Sequence, residues 1–517
     1  MLIHEPDKQP IVKDALASVN SELESLASEE EVLRDMRISL AAEVNNSTVL
    51  ASVNKLPPEI LARIFGMSKI CCACEDGYRV NGLAGVCVYW RMIALGAADL
   101  WTHVDVSPQI PRRLTELLLD RSKEFPVHVH ILDPELEKDP DPNNEPRSEC
   151  PAESMMIVLE SHLQRISTLC INSNGYYGHF IFNVLNVWSE RGSNSLLKSL
   201  VVDRCRYRIV DDLWITREST TFENIEKMLH GLSTLHLRCT ALDWDSSIYS
   251  GLLDLQLSFD GDVWISIPEL TNILTSCPAL TTLKIENVRL EYVEGWVQPP
   301  IVMQHLEFVH LAHMLPGDTS SVLSCITLPG PRVELGIILS QAGSLDSKLA
   351  EFFVRSPITT LYQASSDCES NCDGCLNDQF CEGGTFKASK FFPQYLPHIH
   401  TLILDGFDLQ TPPLNQPSVP ALPPPLWPRL QNLVLLDCMI DFEVLRRLVY
   451  EIGVQSLHIE QHTGYHLPAS YIRPHDELQK ILASLQEVYP HLHCQISDLS
   501  NSTKQQAYRT VINWGCE

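Results

Sequence analysis

Positive charge is scarce in this 517-residue chain: 38 Lys and Arg stand against 65 Asp and Glu, a formal charge of −27. A field of that sign repels phosphate backbones and anionic lipid, so no nucleic acid and no membrane partner is expected, while protein partners stay open. Long apolar runs are missing too. No window approaches eighteen uninterrupted apolar residues, so no membrane-spanning helix is expected. The opening MLIHEPDKQP lacks the basic-then-apolar order of a secretory signal. Glycine, at 23 residues, is too sparse for a collagen-like or glycine-rich chain. G-x-S-x-G, H-E-x-x-H, G-x-x-x-x-G-K-[ST] and G-x-G-x-x-G are all absent, and the 19 histidines show no helical pairing with an acid. The expectation is a non-catalytic chain without a cofactor.

Cysteine, by contrast, is plentiful. Seventeen is an odd number, so at least one thiol has no partner within the chain. Together with the missing signal, this predicts a reducing cytoplasmic and/or nuclear setting in which most cysteines act as small buried hydrophobes. Cys368, Cys372, Cys375 and Cys381 fall within fourteen residues, and four thiolates could clamp zinc. Structural zinc sites usually pair two short knuckles across a longer gap, so the spacing favours free thiols or a loop disulfide over a metal.

After residues 1–10, which read as disordered, residues 11–48 predict one long helix. Val12, Leu16, Val19, Leu23, Leu26, Leu33, Leu40 and Val44 step by three and four, with Glu30 and Arg37 at the two lapses. That is an a/d seam of about five heptads. One reading is a homodimeric coiled coil; the other is an amphipathic helix lying on its own chain's core.

A compact helical unit follows over 52–106. In Leu56-Pro57-Pro58-Glu59-Ile60-Leu61-Ala62-Arg63-Ile64-Phe65 the prolines suit a turn entering a helix, and Ile60, Leu61, Ile64 and Phe65 form one apolar stripe. Leu83, Val86, Cys87, Trp90, Ile93 and Ala94 step by three and four in a second helix, and Leu100-Trp101 closes the unit. About fifty residues in three short helices make a small core, of the size that usually needs a partner. These motifs, LPPEILARIF, LAGVCVYWRMIA and LW, resemble the F-box, and the preceding heptad helix resembles the version common in mushroom-forming fungi. Ala98 departs from the proline that the family often has before the Leu-Trp pair. The resemblance implies docking on the small Skp-type adaptor of a cullin ubiquitin ligase. It implies that Leu56, Pro57, Pro58, Ile60, Leu61, Ile64, Phe65, Val86, Trp90, Ile93, Leu100 and Trp101 make or support that contact.

Beyond residue 110 the sequence repeats. Apolar-x-x-apolar-x-apolar occurs at Ile166-Leu169-Ile171, Leu197-Leu200-Val202, Leu232-Leu235-Leu237, Leu252-Leu255-Leu257, Leu280-Leu283-Ile285 and Leu306-Val309-Leu311. It returns at Ile399-Leu402-Leu404, Leu430-Leu433-Leu435 and Val454-Leu457-Ile459. A gap of 93 residues is divided by a degraded copy, Ile358-Leu361-Gln363. Helical runs precede many copies, and Asn174, Cys205 and Cys438 stand three residues past the last apolar position. The pattern resembles leucine-rich repeats. No single unit can bury its apolar strand face alone, so stacking into a solenoid over 110–500 is expected. Insertions are expected near 133–151, 364–390 and 411–428, the last rich in proline, with a tail over 501–517.

The expected fold is thus α+β with an α/β repeat: an N-terminal helix and three-helix F-box, then an irregular leucine-rich-repeat solenoid. Outward strand positions would offer His236, Gln256, Lys284, Phe308, His310 and His458 to a protein target, although each taken singly reads first as a solvated position. The functional expectation is a substrate-recognition subunit of a Skp/cullin/F-box ubiquitin ligase. A ligase-independent repeat scaffold is the alternative.

Overall fold

A computed structural model describes residues 9–47, 52–67, 80–133, 152–173, 179–191, 196–204, 213–217, 221–296, 299–330, 333–339, 347–365, 398–405, 408–409, 430–436, 438–440, 445–446, 449, 453–461 and 475–498. The four-cysteine cluster, the proline-rich segment and the bulk of the three expected insertions lie outside these residues. Among the described residues no helix is long and apolar enough to cross a membrane. The chain divides into two compact units, residues 1–104 with 116–126, and residues 105–115 with 127–517.

The first unit is helical. It contains α1 (Gln9–Asn46), α2 (Pro58–Met67), α3 (Val80–Val86) and α4 (Val88–Gly96), with single 3-10 turns at Ser52–Lys55 and Ala98–Trp101. Pro58 opens α2, where its missing N–H costs nothing and its fixed φ favours the helix; Glu59 beside it complements the positive end of the helix dipole. Cys87 caps α4, its Sγ accepting from the Trp90 amide at 3.4 Å. Leu61, Phe65, Ile93, Ala94, Leu100 and Trp101 form the core, with Leu56, Leu83 and Trp90 packed against it. The indole N–H groups are satisfied. Trp101 donates to the Ala94 carbonyl at 2.7 Å, and Trp90 donates to Asn54 Oδ1 at 3.0 Å. Asn54 in turn donates to the Asn45 carbonyl at 2.6 Å, tying the end of α1 to the core.

The second unit is mixed α/β around one sheet of fourteen strands, whose spatial order is the order of the chain. They are β1 (His103–Val106, whose Asp105 and Val106 belong to this unit), β2 (Val127–Leu132), β3 (Ile166–Ser173), β4 (Ser199–Arg204), β5 (Thr234–Arg238), β6 (Asp254–Ser266) and β7 (Thr282–Glu291). Then come β8 (Phe308–Met314), β9 (Glu334–Leu339), β10 (Thr360–Ser365), β11 (Thr401–Asp405), β12 (Asn432–Leu436), β13 (Ser456–Gln461) and β14 (His493–Asp498). From β2 to β14 every pairing is parallel. A parallel pair needs a crossover, and helices supply several: Phe180–Arg191 between β3 and β4, Ile267–Ser276 between β6 and β7, Pro316–Ser324 between β8 and β9. Ser266 starts the second of these with a capping box: its hydroxyl accepts from the Glu269 amide, and Glu269 accepts from the Ser266 amide.

Register aligns the apolar pattern into two buried rows. Leu200, Leu235, Leu255, Leu283, Val309 and Leu335 run across one row, and Val202, Leu237, Leu257, Ile285, Leu311 and Ile337 across the next. The backbone makes the same local bend on three of these strands: Cys239 just past β5, Asn287 within β7 and His313 within β8, each two residues past the second-row residue, have φ near +50°. Cys438 is buried after β12, its thiol donating to the Leu404 and Leu436 carbonyls.

Between β3 and β13, where the motif recurs, one strand escapes the sequence pattern. Ahead of β9, Arg332 stands where the repeat has its first apolar residue, so the motif is broken although Leu335 and Ile337 occupy both rows. Arg332 lies 26 residues after Leu306 and 26 before Ile358, which gives the first part of the long gap an ordinary spacing.

Candidate functional site

In the first unit the twelve residues expected at a docking surface separate by burial. Leu61, Phe65, Ile93, Leu100 and Trp101 are buried in the unit's own core, and Leu56 and Trp90 are half-buried. The Trp90 ring packs on Phe65 with centroids 4.9 Å apart, and Arg121 lies over Trp101 at 4.5 Å. These seven residues give the unit its shape. Pro57, Pro58, Ile60, Ile64 and Val86 are exposed.

Sequence reasoning overlooked the rest of that exposed set. Met67 continues Ile60 and Ile64 at i, i+4 and i+7 along α2, and Val88, Met92 and Leu95 repeat the spacing along α4. Ile64 is 43% exposed, Met67 80% and Met92 64%. A short helix with one stripe in the core and a second stripe in water is apolar over most of its girth. The second stripe was readable from the same three-and-four steps, but the first had already accounted for a soluble helix. Water-facing Ile, Val and Met side chains in two parallel-spaced stripes are suited to burial against another protein.

In the second unit the expected target-facing residues lie on consecutive strands, in register: His236, Gln256, Lys284 and His310 share one cross-strand row. His458 falls in the same row further along, and Phe308 starts the adjacent row on β8. His236, Gln256, Phe308 and His458 are partly exposed. His236 Nε2 is 2.9 Å from Asp254 Oδ2, and the Gln256 amide donates to Asp254 as well.

Lys284 and His310 correct the expectation. They are 1% and 0% exposed and are not offered to a partner. The physical reason is crowding along the row. His310 inclines over Gly336 on β9, where an added Cβ would sit 2.6 Å from its Nδ1, and Phe308 stacks nearly parallel to its ring. Lys284 Nζ is 3.0 Å from Glu286 Oε1, and His310 Nε2 faces the same oxygen at 3.5 Å. Ser258 donates to the other Glu286 oxygen at 2.8 Å. Burial would raise the Glu286 carboxyl, but the His310 imidazole, the Lys284 charge and the Ser258 hydroxyl outweigh it and hold it at about 2. Burial lowers both Lys284 and His310 against the opposing pull of Glu286. Strand alternation gave the face of these residues correctly; how deeply the row is buried depends on bulk across neighbouring strands.

A cavity of about 320 Å³ opens elsewhere on this unit, lined among others by Tyr292, Trp296, Cys325 and Lys348. Burial pushes the Cys325 thiol up, as it does Cys277 and Cys494, the opposite of what a nucleophilic thiolate needs.

No protein-family model matches the chain, and no curated protein matches it either.

Proposed function

We propose that the chain is the substrate-recognition subunit of a Skp/cullin/F-box ubiquitin ligase. Its helical unit is an F-box that docks a Skp-type adaptor, and the sheet-bearing unit is an irregular leucine-rich-repeat solenoid that holds a protein target. The observation that carries this reading is the uncovered stripe Ile60, Ile64 and Met67 on α2, the first two within the stretch that reads LPPEILARIF and the third two residues past it. Its support on the other unit is the strand-per-repeat order, with partly exposed His236, Gln256, Phe308 and His458 along β5 to β13.

The chain itself carries out no chemistry in this scheme. It brings a target close to a transfer centre on other subunits, and the rate gain comes from proximity and orientation. Lys284, Glu286 and His310 act beneath the target surface as a rigid base, while the partly exposed residues around them make contact.

Affinity purification of the full chain followed by mass spectrometry tests the proposal. Adaptor and cullin together are the expected result. An adaptor without a cullin would favour a ligase-independent scaffold, and absence of the adaptor would overturn the docking assignment.

A further inference from the structure

Helix α1 carries an apolar seam that its own unit leaves open. Leu16, Val19, Leu23, Leu26, Leu33, Leu40 and Val44 are 46–64% exposed. The helix has 38 residues, so at 1.5 Å each it is about 57 Å long. Among the described residues, its hydrogen-bonded tie to the core runs through Asn54 and the Asn45 carbonyl at its C-terminal end. Helices in water draw most of their stability from burying an amphipathic face, so a seam of this length calls for an occupant.

The spacing of the seam limits what that occupant is. Steps alternating between three and four average 3.5, which keeps a narrow a/d line on one side of a supercoiled helix. A helix resting on a globular core shows a wider stripe, with e or g positions apolar as well. Here the e and g positions include Lys13, Glu22, Glu29, Arg34 and Glu43, and Met36 is the one large apolar residue among them. The facing surface is therefore another helix with a matching seam.

The described residues of this chain's other helices supply none of that length: the next longest, His475–Val488, has 14 residues. A second α1 does. In an antiparallel pair with full overlap, Leu16 of one copy faces Leu40 of the other, Leu23 faces Leu33, Val19 faces Arg37, and Leu26 faces Glu30. No layer then holds two like charges, whereas a parallel pair would set Glu30 against Glu30 and Arg37 against Arg37. The Glu30 carboxylate is drawn to the flank by its own Arg34, 2.9 Å away, leaving methylenes at the seam. An isologous two-fold contact of this kind closes on itself and stops at two copies.

We propose that α1 is a homodimerisation element, and that a second copy of this chain covers its seam. Dimerisation gives the assembly two target surfaces, so a target with two recognition sites is held by avidity as well as affinity. The inference does not rest on the adaptor assignment, and its test is made without the adaptor.

Sedimentation equilibrium of the purified full chain should give twice the 58.3 kDa chain mass at micromolar concentration. Leu23→Glu with Leu33→Glu should sediment as a monomer, while Ile38→Glu, equally exposed but off the seam, should leave the dimer intact. Glu30→Leu with Arg37→Leu completes the seam and should tighten the dimer at least about tenfold, an effect that misfolding does not produce. A wild-type chain that stays monomeric at tens of micromolar, or a dimer that survives Leu23→Glu with Leu33→Glu, would overturn the proposal.

Discussion

Replacing Glu286 by Gln tests whether the buried charge cluster is a paired network or an incidental contact. The substitution keeps shape and leaves Ser258 an acceptor, but it removes the nearer of the carboxylate charges that compensate Lys284, whose side chain is 1% exposed, and leaves only the weaker pull of Asp254 among those named for it. Breaking a buried pair by deleting one partner costs about 3–5 kcal/mol, because the surviving charge is stranded. The retained Ser258 bond places Glu286→Gln near the lower end, about 3 kcal/mol, a large share of the 5–15 kcal/mol typical of a folded domain. The two units need not unfold together, so hydrogen exchange read by strand is a better assay than a single melting curve. Amides of β7 and β8 should exchange roughly a hundredfold faster in the variant. Lys284→Met with Glu286→Leu removes both charges for apolar groups of similar size and should recover most of the loss. If Glu286→Gln alters exchange less than about fivefold, or the double substitution is as damaging as the single one, the pairing argument fails.

Acid should weaken the same region in two stages. The Glu286 carboxyl is held at about 2 against an ordinary 4.5, so the stability it contributes is present above 4.5 and is lost as pH falls from there toward 2. His310 is lowered from 6.5 by burial, so its unfolded form takes a proton first and stability begins to fall below that value, with the same sign. Melting temperature followed from pH 7.5 to 3 should decline below 6.5 and steepen below 4.5, and a flat profile would contradict both assignments. Gly336→Ala should cost about 1–3 kcal/mol, because the new Cβ meets the buried His310 ring; His310→Ala in the same background should relieve the clash, as denaturant midpoints would reveal. Ser266→Ala removes the cap of helix Ile267–Ser276 and should cost about 1 kcal/mol, measured as faster amide exchange in its first turn.

Much of this architecture was legible because the second unit repeats itself. Leu235, Leu255, Leu283 and their equivalents recur often enough that the strands were found without help from helix boundaries. β9 was lost because a charged residue, Arg332, takes the place of the first apolar one, and only the register with β8 and β10 identifies the strand. Alternation placed Lys284 and His310 on the expected face but carried no information on crowding, which arises from Phe308, Gly336 and Glu286 on three different strands. In the helical unit, core residues such as Leu61 and Phe65 and exposed ones such as Ile60 and Ile64 are adjacent in sequence and chemically alike. Their separation depends on where the turn at Ala98–Trp101 closes the core, and no local pattern encodes that.

Titration of a purified Skp-type adaptor into the full chain tests the central claim most directly. The account predicts one-to-one binding by the wild type, and a loss of at least about a hundredfold in Ile64→Asp with Met67→Asp, both on the exposed stripe of α2, in a variant that circular dichroism shows to be folded. A wild-type chain that does not bind the adaptor, or a folded double variant that binds as tightly as the wild type, would contradict it.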